Sequence, residues 1–203
     1  MMPIILLMVS CLLLSAGFSS RFGSPKALAR LDGRTLIEHL QELLLSTQLH
    51  EIIIVLGHGA EGIKPFLFKH KKIKVVYNKD YKFGQTSSFK CGLKEVAAQA
   101  TGILLLPVDY PAVKAETLDT LITFFEEKKP VALIPSYRDK KGHPPILNVG
   151  LKSELLALED PVGVNTVIHH HRDDVTVLPV DDAGVLKSFN TKEEFDQLKA
   201  ELT

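Results

Sequence analysis

Residues 12–26 read LLLSAGFSSRFGSPK: an apolar run, Leu12 to Leu14, empties into a Gly- and Ser-rich loop that ends in Arg21 and the pair Pro25-Lys26. A buried strand opening into such a loop presents free backbone N–H groups, small residues that admit an anion closely, and two fixed positive charges. This predicts a cradle for a triphosphate. Two familiar phosphate-binding patterns do not account for it. The Walker loop requires GxxxxGK followed by Ser or Thr, whereas Gly17 and Gly23 here lead to Ser24, Pro25 and Lys26, and the dinucleotide pattern GxGxxG has no match. A plain surface turn would explain the composition. It would not explain the joint spacing of Gly17, Ser19, Arg21, Gly23, Pro25 and Lys26.

Working outward, the chain of 203 residues is long enough for one substantial core and argues for a single domain. Lys+Arg and Asp+Glu balance at 24 each, so no net field recruits nucleic acid or an anionic membrane. The two cysteines, Cys11 in the apolar run and Cys91, make neither a disulfide framework nor a metal spacing, and a cytoplasmic location is expected. The N-terminal PIILLMVSCLLLSAG imitates a signal peptide, but no Lys or Arg precedes it. Cleavage near Ala16 would also remove the strand that presents the loop. The run is shorter than the roughly 20 residues needed to span a bilayer. A buried strand from Val9 to Leu14 is therefore expected, with residues 1–8 as an extension, Met8 as a candidate natural start, and the domain over 9–203.

Beyond the loop, strand and helix alternate. Helices are expected over 35–46, weakly over 60–68, and over 87–99, 116–127 and 192–202; strands are expected over 52–56, 73–77, 102–107 and 131–135. Apolar strands joined by helices predict an α/β fold with a mostly parallel central sheet covered on both faces. Ligands of such sheets sit beyond the carboxyl ends of the strands. Asp109, in PVDYP after an apolar strand, falls at that edge with the phosphate loop. A hard cation such as Mg²⁺ takes one or two carboxylates plus phosphate oxygens and waters, which makes Asp109 the first candidate ligand. Its blander role is to cap the next helix.

The loop closely resembles the signature LAAGxSxRxGxPK of the MobA-like nucleotidyltransferases, with Ser15 for the first Ala and Phe22 for Met. The resemblance implies a single-domain Rossmann-like (GT-A-like) fold, nucleotide-binding over 9–112 and acceptor-binding and metal-completing over 113–203. It implies a nucleotide site of Leu14, Ser15, Ala16, Gly17, Phe18, Ser19, Ser20, Arg21 and Lys26. The amides from Ala16 to Ser20 would take the β- and γ-phosphates, Arg21 the departing pyrophosphate, and Lys26 the α-phosphate. Asp109 matches the family's magnesium-binding Asp of DxP, with Tyr110 in place of the usual Gln. Near the C-terminus, Asn190 stands where the family carries a metal-binding Asp. An amide oxygen still coordinates Mg²⁺, although Asn190 or Thr191 could instead cap the final helix.

The stretch NKDYKFGQTSSFKCGL (78–93) resembles the family segment facing base and ribose, so Gly84 and Ser88 join the nucleotide site; the serines alternatively only begin a helix. Ala16 before Gly17 is closer to the cytidylyltransferase form, which favours CTP. Gly142, His143 and Pro144 resemble the acceptor segment of molybdopterin cytidylyltransferases, and His143 either donates to the acceptor or is a turn histidine. LALEDPVGVN (156–165) departs from the family's acceptor stretch, with Asn165 where an Arg is common. His169, His170 and His171 read as a solvated helix end rather than a metal site, and Asp181 and Asp182 as loop residues. The implied activity is transfer of CMP from CTP to molybdopterin, with Mg²⁺ as cofactor and room for a molybdoenzyme or chaperone partner. Transfer to a sugar phosphate or other small phosphate is the alternative within this chemistry. A nucleotide- or cofactor-binding carrier without turnover is the alternative outside it.

Overall fold

Strands that are apolar on both faces need cover on both sides, and the computed structural model, which describes residues 7–160 and 162–202, supplies it as helix, sheet and helix layers. The first half runs β1 (Val9–Ser15), β2 (Arg30–Leu31), β3 (Arg34–Thr35), α1 (Leu36–Leu45), β4 (Glu51–Leu56), α2 (Ala60–Ile63), β5 (Ile73–Tyr77) and α3 (Gln85–Lys94). The second runs β6 (Gly102–Pro107), α4 (Ala115–Lys128), β7 (Ala132–Tyr137), β8 (Lys140–Lys141), β9 (Ile146–Asn148), α5 (Lys152–Ala157), α6 (Val164–His170), β10 (Val175–Pro179) and α7 (Lys192–Leu202). The main sheet has the order β10-β7-β9-β6-β1-β4-β5, with β8 hydrogen-bonded to β7. β1, β4, β5 and β6 pair in parallel, as do β7 and β10, whereas β9 is antiparallel to both neighbours. The chain moves one way from β1 through β4 to β5 and then returns to place β6 on the other side of β1. That reversal opens a crevice beyond the carboxyl ends of β1 and β6.

The strand period of two assigns side chains to layers. Cys11, Leu13, Ile52, Ile54, Leu104 and Leu106 pack with Leu40 and Leu44 of α1 and Leu121 and Phe125 of α4. Leu12, Leu14, Ile53, Val55, Ile103 and Leu105 pack with Phe89 and Leu93 of α3, Leu155 of α5 and Val167 of α6. A smaller cluster of Leu31, Leu36, Phe189, Phe195 and Leu198 seats α7 beside the phosphate loop. Burial pushes the Cys11 thiol far above its ordinary range, so it behaves as an inert core group.

The expected α/β architecture is present, with local differences. The weak helix expected over 60–68 is the short α2 followed by a 3-10 turn, Lys64–Phe66, because Pro65 has no N–H to continue α-helical bonding. The helix expected over 87–99 begins earlier, at Gln85, since Gly84 (φ 101°) takes a backbone angle that turns the chain directly into α3. It also ends earlier, at Lys94. The sequence pattern does not predict strands β2, β3, β8, β9 and β10 or helix α5. Of the extension anticipated over 1–8, residues 1–6 lie outside the described residues; Met8 is buried and its N–H donates to Glu126 Oε1 at 2.6 Å. Among the described residues no helix is long and apolar enough to cross a membrane.

Candidate functional site

A cleft of about 670 Å³ opens at the switch point between β1 and β6. Its loop wall is the turn after β1, tightened by bonds from the N–H groups of Phe22 and Gly23 to Ser19 O at 2.9 and 3.0 Å. Ser19 sits at φ 53°, and its hydroxyl accepts from Lys26 N–H at 3.3 Å. These bonds leave the N–H groups of Gly17 to Arg21 without a protein acceptor among the described residues. An unpartnered row of amides in a turn is an anion cradle.

Opposite stands a wall of acceptors. Asp109 follows β6, and its Oδ2 accepts from Lys26 Nζ at 2.7 Å, with side-chain exposures of 22% and 12%. The same ammonium donates to Phe189 O at 2.6 Å and approaches Asn190 Oδ1 at 3.3 Å, and Arg21 Nη2 donates to that Asn190 oxygen at 2.9 Å. Asp109 is thus not a helix cap; α4 begins several residues later behind Lys114. Asn190 is not the cap of α7 either. Thr191 Oγ1 accepts from Glu194 N–H at 3.2 Å, and the Glu194 carboxylate accepts from Thr191 N–H at 3.4 Å, a capping box that frees the Asn190 side chain for the cleft. Asp182 is a buried structural residue whose carboxylate accepts from Gly184 N–H, Lys114 N–H and the Thr117 hydroxyl.

The far end of the cleft is built by Gly84, Thr86 and Ser88 at the start of α3. Buried Asn78 holds this end, its amide donating to Ser87 and Ser88 Oγ at 2.9 and 3.0 Å while its carbonyl takes Asp80 N–H at 3.0 Å. Phe18 rests its ring against His58 and Tyr81 at centroid distances of 5.2 and 5.3 Å.

Of the residues expected in the nucleotide site, Leu14, Ala16 to Arg21, Lys26, Gly84 and Ser88 line the cleft; Ser15 does not. Of the acceptor group only His143 lines it. Gly142 has a packing reason instead, since a Cβ there would lie 2.4 Å from Val185 O. His143 stacks on Tyr110 at 4.5 Å, and its Nδ1 is buried without a partner among the described residues. Burial lowers its pKa while the Asp109 charge pulls it back up, the net direction being down. Sequence reasoning missed Lys82, Thr86 and Ser188 as lining residues, although two of these fall in the stretch already singled out around Gly84. His170 and His171 pair with Glu154 on the surface, and among the described residues no group of three or more His, Cys, Asp or Glu is arranged to hold a metal.

The model of the MobA-like NTP transferase domain matches residues 11–175, most of the chain and all of the loop wall. The chain belongs to the MobA-like NTP transferase family. The chain is 31% identical over 157 residues to the nicotine blue oxidoreductase of Paenarthrobacter nicotinovorans, covering 71% of this chain and 72% of that protein. It is 29% identical over 123 residues to the bifunctional protein GlmU of Alkaliphilus metalliredigens, covering 60% of this chain but only 26% of that longer protein. Among solved structures, Rv0371c of Mycobacterium tuberculosis superposes with a TM-score of 0.82 at 25% identity, over 95% of this chain and 98% of that one. Rv0371c has also been solved in complex with manganese, at a TM-score of 0.79 and 24% identity, with 95% and 98% covered. This MobA-like chain therefore shares the nucleotidyltransferase fold along nearly its whole length.

Proposed function

We propose that this chain transfers a nucleoside monophosphate, CMP from CTP, to the phosphate of a small acceptor, with molybdopterin the acceptor its sequence favours. One observation carries the reading: unpartnered amides, two cations and a carboxylate converge at the switch-point cleft. The acceptor's phosphate oxygen attacks the α-phosphorus in line, a new P–O bond forms, and the bond to pyrophosphate breaks. Such a transition state asks mainly for positioning and for stabilisation of charge on phosphoryl oxygens. The Ala16 to Ser20 amides hold the β- and γ-phosphates, Arg21 the departing pyrophosphate, and Lys26 the α-phosphate. Asn78 orients Ser88 towards the nucleoside.

The donor set suits a hard divalent cation, because oxygens of Asp109, Asn190 and Phe189 already converge on one positive group, the Lys26 ammonium. Asp109 and Asn190 would hold Mg²⁺. When bound, the ion neutralises charge on the phosphates. A protein of the same fold, Rv0371c, has been solved with manganese, which agrees with a divalent ion but does not bear on which residues hold it.

The test is pyrophosphate release from a panel of nucleoside triphosphates against phosphate acceptors that include molybdopterin and a sugar phosphate, with and without Mg²⁺. CTP with molybdopterin should give the highest kcat/KM. Release of pyrophosphate from no pair would overturn the proposal. The identity with nicotine blue oxidoreductase favours a second reading, a redox enzyme on the same scaffold. Oxidation of NADH or NADPH with a dye as electron acceptor, and no pyrophosphate in the panel, would select it.

A further inference from the structure

A cleft built to receive a metal ion on its own would present unshared carboxylates. This one presents a carboxylate that is already paired. Asp109 Oδ2, Phe189 O and Asn190 Oδ1 surround Lys26 Nζ at 2.7, 2.6 and 3.3 Å, and the Phe189 ring lies 5.1 Å beneath it. The ammonium occupies the point at which these oxygens converge, as a bound cation would. Arg21 takes the remaining approach to Asn190, at 2.9 Å. Because residue 190 is an amide, the cluster of Arg21, Lys26 and Asp109 keeps an excess positive charge. Lys82 adds another, and Asp109 is the one acidic residue among those lining the cleft.

We propose that Lys26 is the resident cation of this site, so that the nucleotide enters before any divalent ion, and the ion binds only after the phosphates have drawn Lys26 off Asp109 and Asn190. The inference deepens the nucleotidyltransferase reading and rests on it. A divalent ion arriving first meets one carboxylate held by an ammonium, a neutral amide already accepting from a guanidinium, and an excess of positive charge. Its entry is opposed electrostatically in a partly buried site. A triphosphate arriving first meets that same excess charge and the unpartnered amides from Gly17 to Arg21, and both attract it. Once bound, its oxygens offer Lys26 new partners and complete the ligand set that Asp109 and Asn190 leave short. Asn190 is thereby the residue that sets the order. A carboxylate at this position would neutralise the excess charge and supply the second acidic ligand.

The experiment uses the full chain and reads binding rather than turnover. CTP, GTP, ATP and UTP are titrated calorimetrically in EDTA and again with Mg²⁺, and Mn²⁺ binding is followed by its electron paramagnetic resonance signal with and without nucleotide. The wild type should bind its preferred nucleotide in EDTA, and should bind Mn²⁺ only when that nucleotide is present. Asn190→Asp should reverse both behaviours by about tenfold or more, weakening metal-free nucleotide binding and allowing Mn²⁺ to bind alone, as one added charge at partial burial requires. Lys26→Met should likewise let Mn²⁺ bind the nucleotide-free chain. Asn190→Ser removes the Arg21 contact without adding charge, and should shift metal-free affinity much less than the Asp variant. Melting curves establish that each variant is folded. Tight Mn²⁺ binding to the nucleotide-free wild type, or equal shifts in the Ser and Asp variants, would overturn the resident-cation assignment while leaving nucleotidyl transfer standing. Failure of every nucleotide to bind under any condition would remove both.

Discussion

The two ends of β1 treat polar groups in opposite ways. At the amino end every carboxylate is provided for: Glu126 accepts from Met8 N–H and the Thr101 hydroxyl, both at 2.6 Å, and pairs with Lys129. Glu51 takes the Ser10 hydroxyl at 2.7 Å and Ala97 N–H at 2.8 Å. At the carboxyl end the amides of Gly17 to Arg21 and the Nδ1 atoms of His58 and His143 have no partner among the described residues. The buried histidine nitrogens cost stability while unpaired, and the exposed loop amides bond only to water that an anion can displace, so their concentration at one end of a strand marks where a ligand binds. The amino end holds the fold; the carboxyl end holds unspent valence. Substitutions at the two ends should separate accordingly, activity from stability.

The largest effect belongs to the carboxyl end. Lys26→Ala and Asp109→Ala should each lower the rate of pyrophosphate release by about 10²–10³, the usual loss when one group aimed at developing charge is removed. The double variant should lose more than either single one, because the ion pair of the ligand-free chain is broken when nucleotide binds and the two groups then act separately, Lys26 on the α-phosphate and Asp109 on the divalent ion. Steady-state kinetics check the rates and thermal melting checks the fold, which should be nearly unchanged. A large fall in melting temperature in either variant would erase the distinction between the ends.

Gly142→Ala should blur the comparison. The glycine belongs to the segment that carries His143 into the cleft, yet an added methyl would meet Val185 O at 2.4 Å, backbone that cannot swing aside. Overpacking of this kind costs about 1–3 kcal/mol. Denaturant unfolding should show that loss together with a reduced kcat, since His143 N–H itself is bonded to Val185 O at 2.8 Å. Loss of stability with unchanged kcat would place His143 outside the working site.

How much of this was legible in the sequence follows from distance along the chain. The parallel strands could be read because Leu12 to Leu14, Ile52 to Leu56 and Leu104 to Leu106 are apolar without interruption, as burial on both faces demands. β9 could not: three residues after a proline pair carry no periodicity, and only pairing with β6 and β7 makes them a strand. The phosphate loop was legible because its function lies in local composition. The Lys26 contacts were not, because Phe189 and Asn190 are more than 160 positions away and no local pattern predicts which oxygen an ammonium reaches. Without ligand, Lys26 is held by the wall opposite the phosphate loop.

The amino end supplies the smaller tests. Glu126→Gln leaves the volume filled but removes the charge that Lys129 pairs with and disturbs the bonds from Met8 and Thr101. At pH 7 it should cost about 1–3 kcal/mol, the range for a buried polar group left imperfectly paired, with kcat unchanged. The pH dependence of that cost is a sharper measurement. Burial pushes the Glu126 carboxyl up, but the Lys129 ammonium, the Thr101 hydroxyl and the Met8 N–H together outweigh it and hold the group below its ordinary 4.5. Below that value the unfolded chain binds a proton that the folded chain refuses, so stability falls as the pH drops towards the folded-state pKa. Glutamine cannot titrate. The gap in unfolding free energy between wild type and Glu126→Gln should therefore be complete at neutral pH and shrink once the pH passes below about 4.5, the carboxyl's unfolded value. Urea unfolding at a series of pH values measures it. A gap that stayed constant would mean that the carboxyl titrates alike in the folded and unfolded chain, and one that widened in acid would mean that the folded chain holds Glu126 protonated; in either case the amino end of β1 would not be stabilising this charge.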